Sequence, residues 1–323
     1  MKKVLLSILA VAGLASCVQN EVVNPQTPIS FGDAYVENST KAIYDDDTKV
    51  EAFKVWGTVT GEDGTAELYN GADVRSEGKD YGVAWTCDVA RFWTTNCDYN
   101  FYAVVDANKV NAENGVPKTI EYTALGNNDL LYGATVKTTK TDLAQPAVPL
   151  VAFTMQHLLS KISFSFANPA ANGDYSYNVT GVTVNGAYAS GVYTITHAAG
   201  NIDGTYAGTW DGEGAMTDAL SFGAVSGTLV SGAQGAAANS CVIIPGNPAL
   251  TIDVVVETVF GGKVINTQTH TLTVNKTATD ADKTFEKNTH YNFAVTLPTA
   301  GTPISFTIGT VDNFGGPAES PIQ

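Results

Sequence analysis

Through much of this chain, apolar residues recur at every second position, in short runs broken by Gly, Asn, Asp or Pro. A period of two puts alternate side chains on opposite faces of an extended strand. It predicts strands over 29–35, 53–60, 82–86, 99–105, 119–123, 130–135, 158–166 and 177–184. Further strands are expected over 191–196, 241–244, 250–258, 264–274, 290–297 and 304–310. No window carries a helical period, and 279–287 offers at most one short helical turn. Many short strands separated by turn residues point to an all-β chain of sandwich architecture. At 323 residues, two sandwiches are expected, over 29–148 and 149–323, with the seam in the polar stretch 138–149 that holds Pro146 and Pro149. Residues 198–240, rich in Ala, Gly and Ser, read as long loops or an irregular edge.

The beginning of the chain breaks this pattern. Lys2 and Lys3 precede an apolar run over 4–14, too short for a permanent membrane helix, and Leu14-Ala15-Ser16-Cys17 follows. Small residues before a cysteine admit a peptidase, and the thiol after the cut can carry a lipid. The segment 1–16 is therefore expected to be a bacterial lipoprotein signal peptide, with Cys17 as the lipidated residue and 17–28 as a tether.

Charge narrows the function classes. The formal net charge is −15, and loss of Lys2 and Lys3 with the signal takes it to −17; Arg75 and Arg91 are the only arginines. So acidic a surface repels phosphate backbones, which argues against nucleic acid as a partner. The sequence contains no His-Glu-x-x-His, no phosphate-binding Gly loop and no Gly-x-Ser-x-Gly elbow. Neither an enzyme, a metal site nor a cofactor is expected. Asp45-Asp46-Asp47 lacks the spacing of a calcium loop and reads as a solvated acidic turn. Trp56, Trp85, Trp93, Tyr99 and Tyr102 could build a carbohydrate platform, although at strand spacing such aromatics more often fill cores. Cys87 and Cys97 flank an expected hairpin, which leaves two arrangements open, a disulfide across it or two buried thiols. Cys241, ahead of Val242-Ile243-Ile244, reads as a small core residue.

Three stretches resemble the fimbrillins of Bacteroidales, the subunits of type V pili. Phe153-Thr-Met-Gln-His157-Leu-Leu-Ser160-Lys161-Ile-Ser-Phe164 is similar to that family's Phe-x-x-x-His-x-x-Ser-Lys strand. Asn288-Thr-His-Tyr291-Asn-Phe-Ala-Val-Thr-Leu297 resembles a strand near its C-terminus, with Asn288 where a glycine is usual. Ile29-Ser-Phe31, followed by Asn38-Ser-Thr40-Lys41-Ala42, is close to the family's N-terminal pattern. The resemblance implies two transthyretin-like β-sandwich domains and delivery to the outer membrane as a lipoprotein. It further implies removal of the N-terminal segment by a trypsin-like surface protease and head-to-tail assembly with other copies or other fimbrillin subunits. The family commonly presents arginine at the cut; Lys41, before Ala42, occupies that position here.

Strand exchange needs a segment that alternates, because one face enters a core while the backbone completes a ladder. Ile304, Phe306 and Ile308 share one face of the candidate donor strand. Ile29, Phe31 and Tyr35 line the candidate displaced strand, with the alternation interrupted at Asp33. The resemblance thus points to a structural subunit of a surface fimbria supporting adhesion. The competing expectation is a lipid-anchored surface protein, a tip or anchor pilin or a glycan binder, that is not polymerised.

Overall fold

The computed structural model describes residues 27–36, 50–78, 83–124, 128–138, 150–197, 205–246, 248–274, 285–298 and, for the backbone, 305–313. The first half holds β1 (Phe31–Val36), β2 (Ala52–Gly61), β3 (Gly64–Arg75), β4 (Thr86–Cys87), β5 (Asp98–Val105), β6 (Lys109–Glu113), β7 (Val116–Thr123) and β8 (Leu131–Thr138). Then come β9 (Val151–His157), β10 (Ser160–Ala167), β11 (Tyr175–Asn185), β12 (Tyr188–His197), β13 (Tyr206–Ala215) and β14 (Leu220–Gly223). The last are β15 (Gln234–Ala236), β16 (Cys241–Ile243), β17 (Leu250–Phe260), β18 (Lys263–Val274), β19 (Thr289–Thr296) and β20 (Ser305–Asn313). Among the described residues the one helical element is a short 3-10 turn at Ala170–Asn172.

Four sheets carry these strands. The largest has the order β1-β9-β8-β5-β2-β3-β4, and a second runs β13-β12-β7-β6. The third runs β15-β10-β19-β20, with β16 also on β10, and the fourth runs β14-β11-β17-β18. The third and fourth enclose a core in which Ile162, Phe164 and Phe293 meet Val182, Ile252 and Val254. β5 explains how the first sheet holds two cores. Tyr99, Phe101, Ala103 and Val105 enter one, while Tyr102 and Val104 face the other. That other core lies against the second sheet, through Ile120, Tyr122, Tyr193 and Ile195, and takes in Leu158, Leu159, Val242 and Ile244.

Several expectations change. The seam at 148/149 does not divide the sheets: β9 pairs with β1 and β8, and β12 pairs back onto β7. The chain leaves the first sheet only at Leu158–Leu159. Residues 198–240 are not loops throughout, since β13, β14 and β15 lie within them. β13 escapes a hydrophobic reading because its inward positions alternate Tyr206, Gly208, Trp210, Gly212. A Cβ on Gly208 would strike the Tyr193 ring, and one on Gly212 the Tyr188 ring, so these glycines make room for neighbouring aromatics.

The disulfide is also corrected. β4 and β5 are not a hairpin, because β2 and β3 lie between them. Cys87 sits opposite Val74, which pairs with Phe53, whereas Cys97 lies beside Gly61 at the far end of β2. Eight residues of strand separate those ends, roughly 26 Å at the usual rise, far beyond the Cα spacing a disulfide tolerates. Each is a thiol that donates to a nearby carbonyl, Cys87 to Val89 and Cys97 to Thr95, both at 3.3 Å.

Candidate functional site

The first strand is held on both flanks by segments distant in sequence. On one side β1 runs parallel to β9, with Phe31 opposite Val151, Ala34 opposite Phe153 and Val36 opposite Met155. The ladder shifts between Phe31 and Ala34. Val151 N donates to Ser30 O at 2.9 Å, so the pairing begins before the strand proper. On the other side the segment 85–93 completes the slot. Ile29 N donates to Arg91 O at 2.8 Å, Trp85 N to Phe31 O at 2.8 Å, and Trp93 N to Thr27 O at 3.0 Å. Pro28 lies opposite Phe92, where the absence of a proline N–H costs no bond.

One side chain anchors this strand. Phe31 is fully buried and touches the rings of Phe53, Tyr69, Phe101 and Phe153, with centroids 6.2, 5.4, 5.7 and 6.3 Å away. Those rings come from β2, β3, β5 and β9, so one phenylalanine closes a cage drawn from four strands. Ile29 and Ala34 are buried beside it. Gly32 lets the chain pass close to Leu150, since a Cβ there would come within 2.9 Å of Leu150 Cδ1. Tyr69 carries the cage to its rim, where the Arg91 guanidinium lies 5.9 Å over its ring and Arg91 Nε donates to Leu68 O at 2.8 Å. Burial raises the Tyr69 phenol well above its usual value, with Arg91 pulling the other way. The cage is a buried aromatic socket suited to an aromatic side chain on an extended backbone.

The other expected residues are placed as follows. Ile29 and Phe31 belong to the slot, and Tyr35 is on β1, opposite Thr154. In the candidate donor, Phe306 and Ile308 lie on β20, opposite Val295 and Phe293 of β19, at the edge of the third sheet. Cys17, Lys41, Ala42, the Asp45–Asp47 turn and Ile304 fall outside the described residues. Trp56, Trp85, Tyr99 and Tyr102 are buried, and Trp93 packs on Tyr99 at 4.7 Å, so these five form no exposed aromatic row.

The Phe153–Phe164 stretch crosses the molecule. Phe153 enters the cage, Leu158 and Leu159 the central core, and Phe164 the core of the last two sheets. His157 Nδ1 lies 2.6 Å from Asp129 Oδ2, both side chains fully buried, and Ser160 Oγ donates to Glu286 O at 2.6 Å. Asn288, where a glycine was usual, has φ of 55°, the left-handed conformation that asparagine tolerates better than most residues. The second wall, 85–93, and the rings of Phe53, Tyr69 and Phe101 were not expected at this site. Only the aromatic spacing hinted at the rings, and nothing local marks the wall.

An open cleft of about 690 Å³ lies elsewhere, lined by Gln156, Trp210, Glu286, Lys287, Asn288 and Thr289 among others. The Trp210 Nε1 donor is already committed to Leu158 O at 2.6 Å, and Gln156 Oε1 accepts from Tyr206 at 3.0 Å. Both of these groups serve the fold.

The profile of the fimbrillin-like family matches residues 40–310. The chain belongs to the fimbrillin-like family. A fimbrial protein from Bacteroides vulgatus shares its fold, with a TM-score of 0.52 at 14% identity over 88% of this chain and 99% of that one. A protein assigned to cell adhesion from Bacteroides uniformis aligns over 90% of this chain and 99% of that one, at 15% identity and a TM-score of 0.49. The tip fimbrial protein Mfa3 from Porphyromonas gingivalis aligns over 89% of this chain and 100% of that one, at 9% identity and a TM-score of 0.38. No curated protein matches the chain. Fimbrillin-like proteins are structural proteins, not an enzyme family, and membership supports a fimbrial subunit role at the cell surface.

Proposed function

We propose that this fimbrillin-like chain is a polymerising subunit of a surface fimbria, exported as a lipoprotein through Cys17 and assembled by exchange of its first strand. The observation that carries the reading is the setting of 27–36, paired with β9 on one flank, bonded over 27–31 to 85–93 on the other, and anchored by the buried ring of Phe31. Taking it away would open two backbone edges and an empty aromatic socket at once, a combination that favours a replacement strand. Lys41 follows Val36 by five positions, so a cut there frees all of β1 from the rest of the chain. The protease is of trypsin-like specificity, and the incoming strand comes from the C-terminal part of a neighbouring subunit. The lipid then serves delivery to the outer membrane and leaves with the discarded segment.

N-terminal sequencing of protein recovered from the cell surface tests this. The expected result is a start at Ala42 together with ladders of heat-labile multimers, both abolished by Lys41→Gln. A lipidated Cys17 as the sole start would sink the proposal in favour of a permanently anchored protein.

A further inference from the structure

Most of the described sheet edges are blunted. β4 spans two residues, β14 four, and β15 and β16 three each. β6 carries Lys109 and Glu113, β13 carries Asp211 and Glu213, and β20 carries Asp312. β1 is flanked over 27–31 by the segment 85–93. Short length, charge and cover are the devices that stop an edge from pairing with another chain.

β18 has none of them. It closes the fourth sheet beside β17, with no described strand beyond it, and runs for 12 residues. Although the chain carries a net charge of −15, no Asp, Glu, Lys, Arg or Pro occurs over 264–274. Of those residues, Val264, Ile265, Thr267, Thr269, Thr271, Thr273 and Val274 are β-branched, the side chains that favour a strand with neighbours. Lys263–Thr269 is exposed on both faces. Val264 and Ile265, on opposite faces, are 51% and 57% exposed, whereas Leu272 and Val274 pack against the core. One half of the strand is therefore bare and the other half-covered.

We propose that β18 pairs antiparallel with β18 of a second copy of this chain, Thr269 facing Thr269 across a two-fold axis. That register matches the whole uncharged stretch to itself. It sets Val264 opposite Val274, Ile265 opposite Thr273 and Thr267 opposite Thr271, pairs of the kind that stabilise a ladder. The bare half of each copy then meets the half that the other copy's core already covers. Two such acidic chains repel over most of their surfaces, and this strand is where their backbones can meet without bringing like charges together. The contact is isologous and joins the two fourth sheets into one. A single pair of edges is weak, but the same pair repeated along two fibres adds up. The pairing stands apart from strand exchange; its consequence, fibres lying side by side, rests on the fimbrial reading above.

The test uses the full-length chain carrying Lys41→Gln, so that its outcome does not depend on the cut. Thr269→Cys in that chain, oxidised on the cell surface, is expected to give a disulfide-linked dimer on a non-reducing gel. Ile265→Cys, whose counterpart is Thr273, and the parent chain are expected to give none. Absence of the Thr269→Cys dimer would overturn the proposal, and a link to a different protein would overturn the second copy as partner. A dimer from Ile265→Cys alone would overturn the register. Dimers in this uncut protein would uphold the edge even if exchange failed. Charge at the two-fold axis supplies a second measurement. Thr269→Lys and Thr269→Glu, both on an exposed side chain, are each expected to keep the wild-type circular dichroism spectrum. Each alone should lose self-association in sedimentation velocity, and an equal mixture of the two should regain it. Self-association unchanged in both single variants would overturn the pairing.

Discussion

The rings of Phe31 and Phe153 lie stacked at 6.3 Å, their planes within 15°, across the parallel pair β1–β9. The same Phe153 meets Phe53 edge-on at 5.2 Å, so the first strand is locked to the sheet through a ring that is itself locked. Phe31→Ala is expected to cost about 3–5 kcal/mol, the range for emptying a buried aromatic site. Urea unfolding of the full chain reads the loss. Limited proteolysis should show the N-terminal segment cut well before the rest. An equal rate of cleavage in both proteins would mean that Phe31 does not anchor the strand.

Asp129 and His157 form a buried pair at the end of β9, where the chain leaves the first sheet. Asp129→Ala leaves a buried imidazole nitrogen without its partner and is expected to cost about 1–3 kcal/mol. Combining it with His157→Leu should cost less than the two single changes added together, because the double variant strands neither group. Strict additivity in a double-mutant cycle would show that the 2.6 Å contact carries no coupling.

His197 gives the chain a pH dependence of known sign. Burial holds its imidazole below the usual value, Lys118 adds to this, and a hydrogen bond to Pro117 opposes it. The unfolded chain therefore binds a proton near pH 6.5 that the folded chain refuses. Stability is full above that pH and declines as the pH falls through it, by at most about 1.4 kcal/mol per unit for one group. Partly buried His270 is lowered in the same direction. His197→Gln should flatten the decline between pH 7 and 5.5 in a series of unfolding curves. An unchanged slope would remove His197 as its source.

The thiols should react in order of exposure. Cys87 is partly exposed, whereas Cys97 and Cys241 are buried. Burial pushes Cys241 up to about 11, which leaves little thiolate at neutral pH. Mass-mapped alkylation of the native protein should label Cys87 first and reach Cys97 and Cys241 only on unfolding. A Cys87–Cys97 linked peptide under non-reducing digestion would contradict the separation of β4 from β5.

The sequence was most legible where a strand has neighbours on both faces or strict alternation. Tyr99–Val105 and Leu250–Phe260 announce themselves because nearly every inward position is large and apolar. β3 was missed, since Glu67, Asn70, Gly71 and Asp73 dilute the pattern along a strand near the sheet edge. β13 was missed because its inward glycines carry no signal without Tyr188 and Tyr193 beside them. Half of the slot was readable, namely the Ile29-Ser30-Phe31 run itself. The other half was not, because pairing Ile29 with Arg91 or Phe31 with Trp85 joins residues whose local sequences say nothing about each other. The expected hairpin between Cys87 and Cys97 failed for the same reason: proximity in sequence stood in for a sheet order that placed two strands between them.

The two-sided bonding of the first strand also decides how it bears load. A strand at a sheet edge, peeled from one end, gives up its hydrogen bonds singly and yields to small forces. Pulled along its own axis, the segment 27–36 would be held by β9 and, over 27–31, by 85–93, with a ring wedged among four strands. Tension in that direction shears all of those bonds together and must drag the Phe31 ring through its cage before anything gives. The first strand is therefore expected to resist lengthwise tension and to yield to unzipping.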